Sequence, residues 1–356
     1  MCTNSTMKAA LKTATGEFEV KEVETPKILQ SDWVLARIRV AGICGTDLRH
    51  WKKEEPDLEG RIMGHEVAAE VIEIGDAVKN VKPGDRVVVE TVLGDGTCDW
   101  CRVQQYNLCP NLYPVRMDTV SRDFATYLVG PAEKFHKLPD HVSYEEATLL
   151  DTFSVCMHAI HLSGIKLNNK VVIIGAGPIG LGQLQLAKIS GADVIVTDVV
   201  DSALAIAKEL GADAVVNTKT EDGYQKVMEF TGGRGADITF ECAGGPSMPI
   251  TLPQATSFTR IGGKVVIVGG FEAGQKGIEL DWAKIQLGEI QLIPSASYSF
   301  WGIDSEMQMC LDLLAKGKLN AKKMITHRFP LDEINKAFET AEDKENTHAV
   351  FVALIV

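Results

Sequence analysis

The sequence predicts an α/β protein in two parts, a mostly antiparallel β domain and a domain with a doubly wound parallel sheet. Three observations predict it. The chain has 356 residues, room for two ordinary domains. From Met7 to about Asp140, short alternating apolar runs are broken by turn residues. After Ser143, continuous apolar strands alternate with helical segments, the pattern of a parallel sheet covered on both faces.

In order along the chain, "MKAALK" opens a strand at Met7, and residues 1–6 are read as an extension. Asn4-Ser5-Thr6 fits a glycosylation sequon, which is discounted because no signal-peptide core accompanies it. "WVLARIRV", "EVAAEVIEI", "DRVVVE" and "FATYLVG" have the period and residue types of strands, and "KPGDR" is a tight turn between two of them. "SYEEATLLDTFSVCMHAIHLSG" has helical periodicity, with Ser143 as N-cap, Glu146 completing a capping box and a glycine stop.

"KVVIIGAG" is then a strand, "PIGLGQLQLAKISG" a helix, "DVIVTD" a strand and "SALAIAKELGA" a helix. "AVVN", "ADITFEC" and "KVVIVGG" continue the alternation. After about Ser295 the pattern changes: "SEMQMCLDLLAKGKL" is a helix, "MITHRFPL" a strand and "DEINKAFETAED" a helix. The expected domains are 1–155 with 296–356, and 156–295.

Composition narrows the function. The chain is 45% hydrophobic and 24% charged, with a net charge of -12. That argues against nucleic acid or an anionic membrane as partner, since either calls for a basic face. No apolar run approaches the ~20 residues of a membrane span. Eight cysteines are scattered except for a cluster at 98, 101 and 109. This is unlike a disulfide scaffold and points to a reducing cytoplasm.

"GAGPIG" places Gly175, Gly177, Pro178, Ile179 and Gly180 directly after a strand and at the opening of a helix. The first glycine permits a tight turn, the second lets a pyrophosphate approach the backbone, and the third lets helix and strand pack closely. Asp198 ends the next strand, 18 residues past Gly180, where an acidic side chain binds the adenosine ribose hydroxyls. Val199 and Val200 follow, with no arginine for a 2′-phosphate. The expectation is a Rossmann domain for NAD rather than NADP.

Two clusters carry metal-ligand chemistry. Cys44, in "GICGTDLRHW", with His65 and Glu66, in "GHEVAAEV", offers S, N and O donors, and Asp151 in "LLDTF" is a fourth candidate. Catalytic zinc takes three such protein ligands and keeps an open position. The second cluster is Asp95, Cys98, Cys101 and Cys109, spaced for a closed structural zinc with Asp95 where a first cysteine would stand.

These residues resemble the zinc-dependent medium-chain dehydrogenase/reductase family over nearly the whole chain from Met7. The resemblance is carried by "GICGTD", "GHEVAAEVIEIGDAV", "KPGDRV", the cysteine lobe, "GAGPIG", "ECAGG" and "THRFPL". The polyol (sorbitol-type) and threonine dehydrogenase branches are most similar. The resemblance implies a GroES-like catalytic domain beside the Rossmann domain and an NAD-dependent hydride transfer from a polyol, sugar alcohol or other secondary alcohol. It implies catalytic zinc on Cys44 and His65, with Glu66 a ligand or a carboxylate close behind, and Asp151 at the fourth-ligand position.

It also implies that Thr46 takes the substrate proton, that the cysteine lobe holds structural zinc, and that the chain forms a dimer or tetramer. Several positions depart from the family pattern. The relay histidine expected five residues after Cys44 is Arg49, with His50 one step later; Asp95 replaces a cysteine, Ala69 a glycine and Thr152 a proline. Tyr298 is a candidate substrate contact as well as a packing residue. The alternatives are a threonine or other secondary-alcohol dehydrogenase, favoured by Asp151, and a cofactor-binding relative without catalysis, against which the intact Cys44, Thr46, His65 and Glu66 argue.

Overall fold

The computed structural model describes residues 5–112, 123–271 and 276–356. Asn4 of the sequon and Cys2 lie outside them. Among the described residues, no helix is long and apolar enough to cross a membrane.

The strands in chain order are β1 (Thr6–Ala14), β2 (Glu17–Glu24), β3 (Trp33–Gly42), β4 (Glu66–Ile74), β5 (Arg86–Val89), β6 (Tyr127–Pro131) and β7 (Phe135–Lys137). There follow β8 (Lys170–Ile174), β9 (Asp193–Asp198), β10 (Ala214–Asn217), β11 (Ala236–Glu241), β12 (Thr259–Ile267) and β13 (Gln291–Pro294). The short β14 (Phe300–Trp301) and β15 (Asp304–Ser305), then β16 (Ile325–Pro330) and β17 (Phe351–Ile355), complete the set.

The chain divides into two compact units. One comprises Met1–Asp151, Gly302–Gly317 and Ile325–Val356, the other Thr152–Trp301 and Lys318–Met324. The first boundary falls inside the helix Leu150–Ser163, not at 155. A helical period runs on through such a point and gives no sign of it. The second falls after Trp301 rather than at 295, and Lys318–Met324 belongs with the second unit. The segment read as one helix from Ser143 is two, Tyr144–Thr148 and Leu150–Ser163. The first keeps its capping box, with Ser143 Oγ accepting the Glu146 N–H at 3.2 Å and Glu146 Oε2 accepting the Ser143 N–H at 3.1 Å.

In the first unit, β1 and β2 form an antiparallel hairpin, and seven strands form a sheet of order β16-β17-β3-β4-β5-β7 with β6 also on β3. All its pairings are antiparallel except β16 with β17. β3 and β4 are buried along most of their length, so they read as apolar runs. Each fully buried Val or Ile contributes about 1.5–3 kcal/mol. An aromatic cluster backs the helix Gly45–Trp51, with the ring of Phe338 lying 5.6 Å from Trp51, 4.7 Å from Phe18 and 5.7 Å from Phe124.

In the second unit, six parallel strands run in the order β10-β9-β8-β11-β12-β13. The sequence order reverses between β8 and β11. In open sheets of this kind, ligands bind at the carboxyl ends of the strands at such a reversal.

Candidate functional site

β3 ends and β4 begins opposite one another, with Gly42 paired to Glu66 and Ala41 to Val67. That register brings Cys44, just past β3, next to His65 and Glu66, although they are more than twenty residues away in the chain. One ligand atom from each of Cys44, His65 and Glu66 lies within 4.8 Å of the others. His65 and Glu66 are buried and Cys44 is half-buried. Two glycines make room: a Cβ on Gly42 would sit 2.4 Å from Glu66 Oε2, and one on Gly64, whose φ is +102°, would sit 3.0 Å from the Phe124 ring. Asp151 is buried in the first turn of the helix Leu150–Ser163 and is not one of this converging set.

Asp47 holds two of the three candidate ligands. It is buried at the third position of the helix Gly45–Trp51, and its Oδ2 accepts the Cys44 N–H at 3.0 Å. Its Oδ1 lies 3.4 Å from His65 Nδ1. A carboxylate on one ring nitrogen fixes the imidazole tautomer and leaves the other nitrogen to a metal. The sequence reading missed Asp47, yet an acidic residue three after a helix cap is the signature of a capping interaction. Thr46 and His50 stand four apart on the same helix and so share a face. His50 Nδ1 is 2.6 Å from Glu55 Oε2, a partner the sequence did not suggest.

The second cluster also closes: ligand atoms of Asp95, Cys98, Cys101 and Cys109 lie within 4.8 Å of one another. Backbone N–H groups support the sulfurs. Asp95 and Asn111 each donate to Cys109 Sγ at 3.4 Å, and Cys101 donates to Cys98 Sγ at 3.5 Å. A Cβ on Gly94 would sit 2.4 Å from Cys101 Sγ, so only glycine fits beneath this turn. The N–H groups of Cys98 and Thr97, with the Asn111 amide, hold the Asp95 carboxyl well below the usual carboxylate range. Burial, and then the neighbouring sulfurs of Cys98 and Cys109, pushes the Cys101 thiol up to about 12. A divalent cation reverses that tendency, because thiolate is the form that binds metal. Both donor sets, S/N/O at Cys44 and S₃O at Cys109, suit zinc.

A buried charge network anchors the cysteine lobe to the sheet. Glu90 Oε1 accepts from the Tyr106 hydroxyl and, at 3.0 Å, from Lys134 Nζ, while Oε2 lies 3.3 Å from His136 Nε2. Burial pushes the Glu90 carboxyl up, but Lys134 and His136 outweigh it and the net shift is downward.

In the second unit, Gly175 has φ +98° and a Cβ there would meet Ala243 N at 3.0 Å. A Cβ on Gly180 would sit 1.8 Å from the Gly175 carbonyl oxygen, whereas nothing lies within 4 Å of the corresponding point on Gly177. The first and third glycines are therefore required by packing, and the second leaves open space at the N-terminus of the helix Pro178–Ile189, a kind of place where backbone N–H groups are able to receive a phosphate. Asp198 closes on this turn: its Oδ2 accepts the Ala176 N–H at 2.5 Å, and its Oδ1 accepts those of Val199 and Val200 at 2.6 and 2.9 Å. Tyr298 is fully buried.

A GroES-type β unit carrying a convergent S/N/O triad, and a separate Rossmann-type unit, define a zinc-type nucleotide-dependent oxidoreductase. Comparison with known proteins narrows this class. Residues 30–140 match the family model of the alcohol dehydrogenase GroES-like domain, and residues 178–316 match that of zinc-binding dehydrogenase. The chain is 37% identical to D-arabitol-phosphate dehydrogenase of Enterococcus avium, over 94% of each chain. It is 32% identical to sorbitol dehydrogenase 1 of Saccharomyces cerevisiae, over 91% of each. A zinc-binding dehydrogenase structure from Sinorhizobium meliloti 1021, bound to NADP, superposes with a TM-score of 0.87 at 30% identity, over 99% of this chain and 100% of that one. The chain belongs to the zinc-dependent medium-chain dehydrogenase family.

Proposed function

We propose that the chain moves a hydride from a secondary alcohol carbon of a polyol or sugar alcohol to NAD, with zinc on Cys44 and His65. The observation that carries this reading is the convergence of the Cys44, His65 and Glu66 donor atoms within 4.8 Å. Zinc, when bound there, supplies a Lewis acid for the substrate hydroxyl. The rest falls to the chain's own groups. Thr46 Oγ1 accepts the hydroxyl proton. His50, one turn further on the same face and held by Glu55, is the next group able to take it up. Asp47 keeps the His65 ring in one tautomer. Glu66 serves as ligand or as a carboxylate close behind, and Asp151 as the more distant fourth candidate.

NAD is favoured over NADP by Asp198 and the valines after it. Gly175, Gly177, Pro178, Ile179 and Gly180 form the turn that receives the pyrophosphate. Structural zinc in the Asp95, Cys98, Cys101 and Cys109 lobe is supported by the four converging donors and the N–H groups around the sulfurs. The free thiols of Cys44, Cys98, Cys101, Cys109, Cys156 and Cys242 support a reducing cytoplasm. The likeness to dehydrogenases of this family supports a homo-oligomer, a dimer or tetramer.

A second reading, threonine or another secondary alcohol as substrate, is favoured by Asp151 and "GICGTD". The test is a panel of free polyols, their phosphate esters, threonine and simple secondary alcohols, each with NAD and with NADP, following reduced cofactor on metal-analysed protein. Turnover of polyols with zinc present is expected. Activity confined to threonine or to simple alcohols would reverse the order of the two readings, and full activity without zinc would sink both.

A further inference from the structure

At the carboxyl end of β11, beside the reversal in strand order, Glu241 is fully buried. Its Oε1 accepts three hydrogen bonds: from the N–H of Ala243 at 3.1 Å, the N–H of Gly244 at 2.8 Å and the Thr251 hydroxyl at 2.8 Å. Its main-chain carbonyl accepts the N–H groups of Val268 and Gly269, each at 2.9 Å. Among the described residues, no donor reaches Oε2. That oxygen faces Gly269, where a Cβ would sit 2.5 Å away.

Glu241 thus holds two loops, 242–245 through its carboxylate and 268–271 through its main-chain carbonyl. They also touch directly: the Gly245 N–H donates to the Gly270 carbonyl at 2.6 Å, and a Cβ on Gly244, whose φ is +59°, would lie 2.6 Å from Gly270 N. The first loop abuts the glycine turn through the contact of Gly175 with Ala243.

A buried carboxylate with one oxygen unserved is costly, and neutral side chains would pack a loop without that cost. What the charge supplies is direction. It draws the N–H groups of Ala243 and Gly244 inward. In a trans peptide the carbonyl points opposite to the N–H, so the Cys242 and Ala243 carbonyls turn away from Glu241. Among the described residues, neither accepts a backbone hydrogen bond. Ala243 is exposed and Cys242 half-exposed.

We propose that Glu241 is a positioning residue for the dinucleotide: it aims the Cys242 and Ala243 carbonyls, beside the glycine turn, as acceptors for hydroxyl or carboxamide donors of the cofactor. This rests on the dinucleotide reading above and adds a residue to it.

The test is titration of the zinc-loaded protein with NADH and with NADPH, read by cofactor fluorescence, for wild type, Glu241→Gln and Thr251→Val. Glu241→Gln should raise the Kd for the preferred cofactor on the order of tenfold, equivalent to losing about one well-made hydrogen bond. The KM for dinucleotide should rise in step while the KM for the alcohol holds. Hydrogen exchange at Ala243 and Gly244 should quicken. Thr251→Val, which removes one donor and keeps the shape, should raise the Kd less. Unchanged cofactor affinity in Glu241→Gln overturns the proposal. If that variant fails to fold, unchanged affinity in Thr251→Val overturns it. A wild-type chain that binds neither NADH nor NADPH overturns the dinucleotide reading itself.

Discussion

The Asp47 carboxylate bridges two candidate metal ligands: it accepts the Cys44 N–H at 3.0 Å through one oxygen and lies 3.4 Å from His65 Nδ1 through the other. Partners of this kind orient ligands and raise their basicity, and losing one costs about 10- to 100-fold in metal affinity. Asp47→Asn should therefore give up zinc to a chelator at a concentration that leaves the wild type loaded. Equal retention would show that the bridge does not tune the site.

Cys44→Ser removes the sulfur donor of the same site without touching the second unit. Turnover should be abolished while NADH still binds. Metal analysis should show loss of the catalytic zinc with the lobe's zinc retained.

Gly94→Ala puts a methyl group where Cys101 Sγ stands, 2.4 Å away. The lobe should lose its metal, and the melting temperature should fall. Because closed zinc sites contribute directly to folding, wild type treated with a strong chelator should melt at a similarly lowered temperature, and the variant should show little further change.

Glu90 gives the first unit an acid-sensitive anchor. Its carboxyl is held below its ordinary value because Lys134 and His136 outweigh the penalty of burial. A group depressed in the folded state adds stability above its unfolded pKa, about 4.3, and loses it as pH falls through the lower folded value. Wild type should lose this contribution only in acid, below about pH 4. Glu90→Gln leaves Lys134 buried and uncompensated, which costs about 3–5 kcal/mol at neutral pH. The gap between the two proteins, measured by denaturant melts, should narrow as the solution is acidified.

Asp198→Ala removes both the carboxylate proposed to bind the adenosine ribose and the acceptor for the Ala176 N–H. Affinity for NADH should fall further than affinity for NADPH, so that the ratio of the two narrows. A wild type that prefers NADPH would contradict the role given to Asp198.

Most of the strands were legible because their alternating or continuous apolar runs follow directly from which faces are buried. β4 begins and ends where "EVAAEVIEI" does. The glycine turn was legible because backbone geometry leaves few residues able to occupy it, as the 1.8 Å clash at Gly180 shows. The lobe was legible from spacing alone, since its donors lie within one loop. The break at Leu149 was not, because the apolar period runs across it. Nor was the end of the first unit at Asp151, inside a helix.

By itself the sequence determined the two-part α/β class, the glycine-rich strand-turn-helix, the clustered lobe donors and the candidates Cys44, His65, Glu66 and Asp151. These rest on local spacing and periodicity, which a linear chain displays. The tertiary structure decided which distant residues meet. The pairing of Gly42 with Glu66 gathers the triad and leaves Asp151 outside it. Packing gave Asp47, Glu55, Glu90 and Glu241 their partners, because a carboxylate's role is set by the donors that burial brings to it.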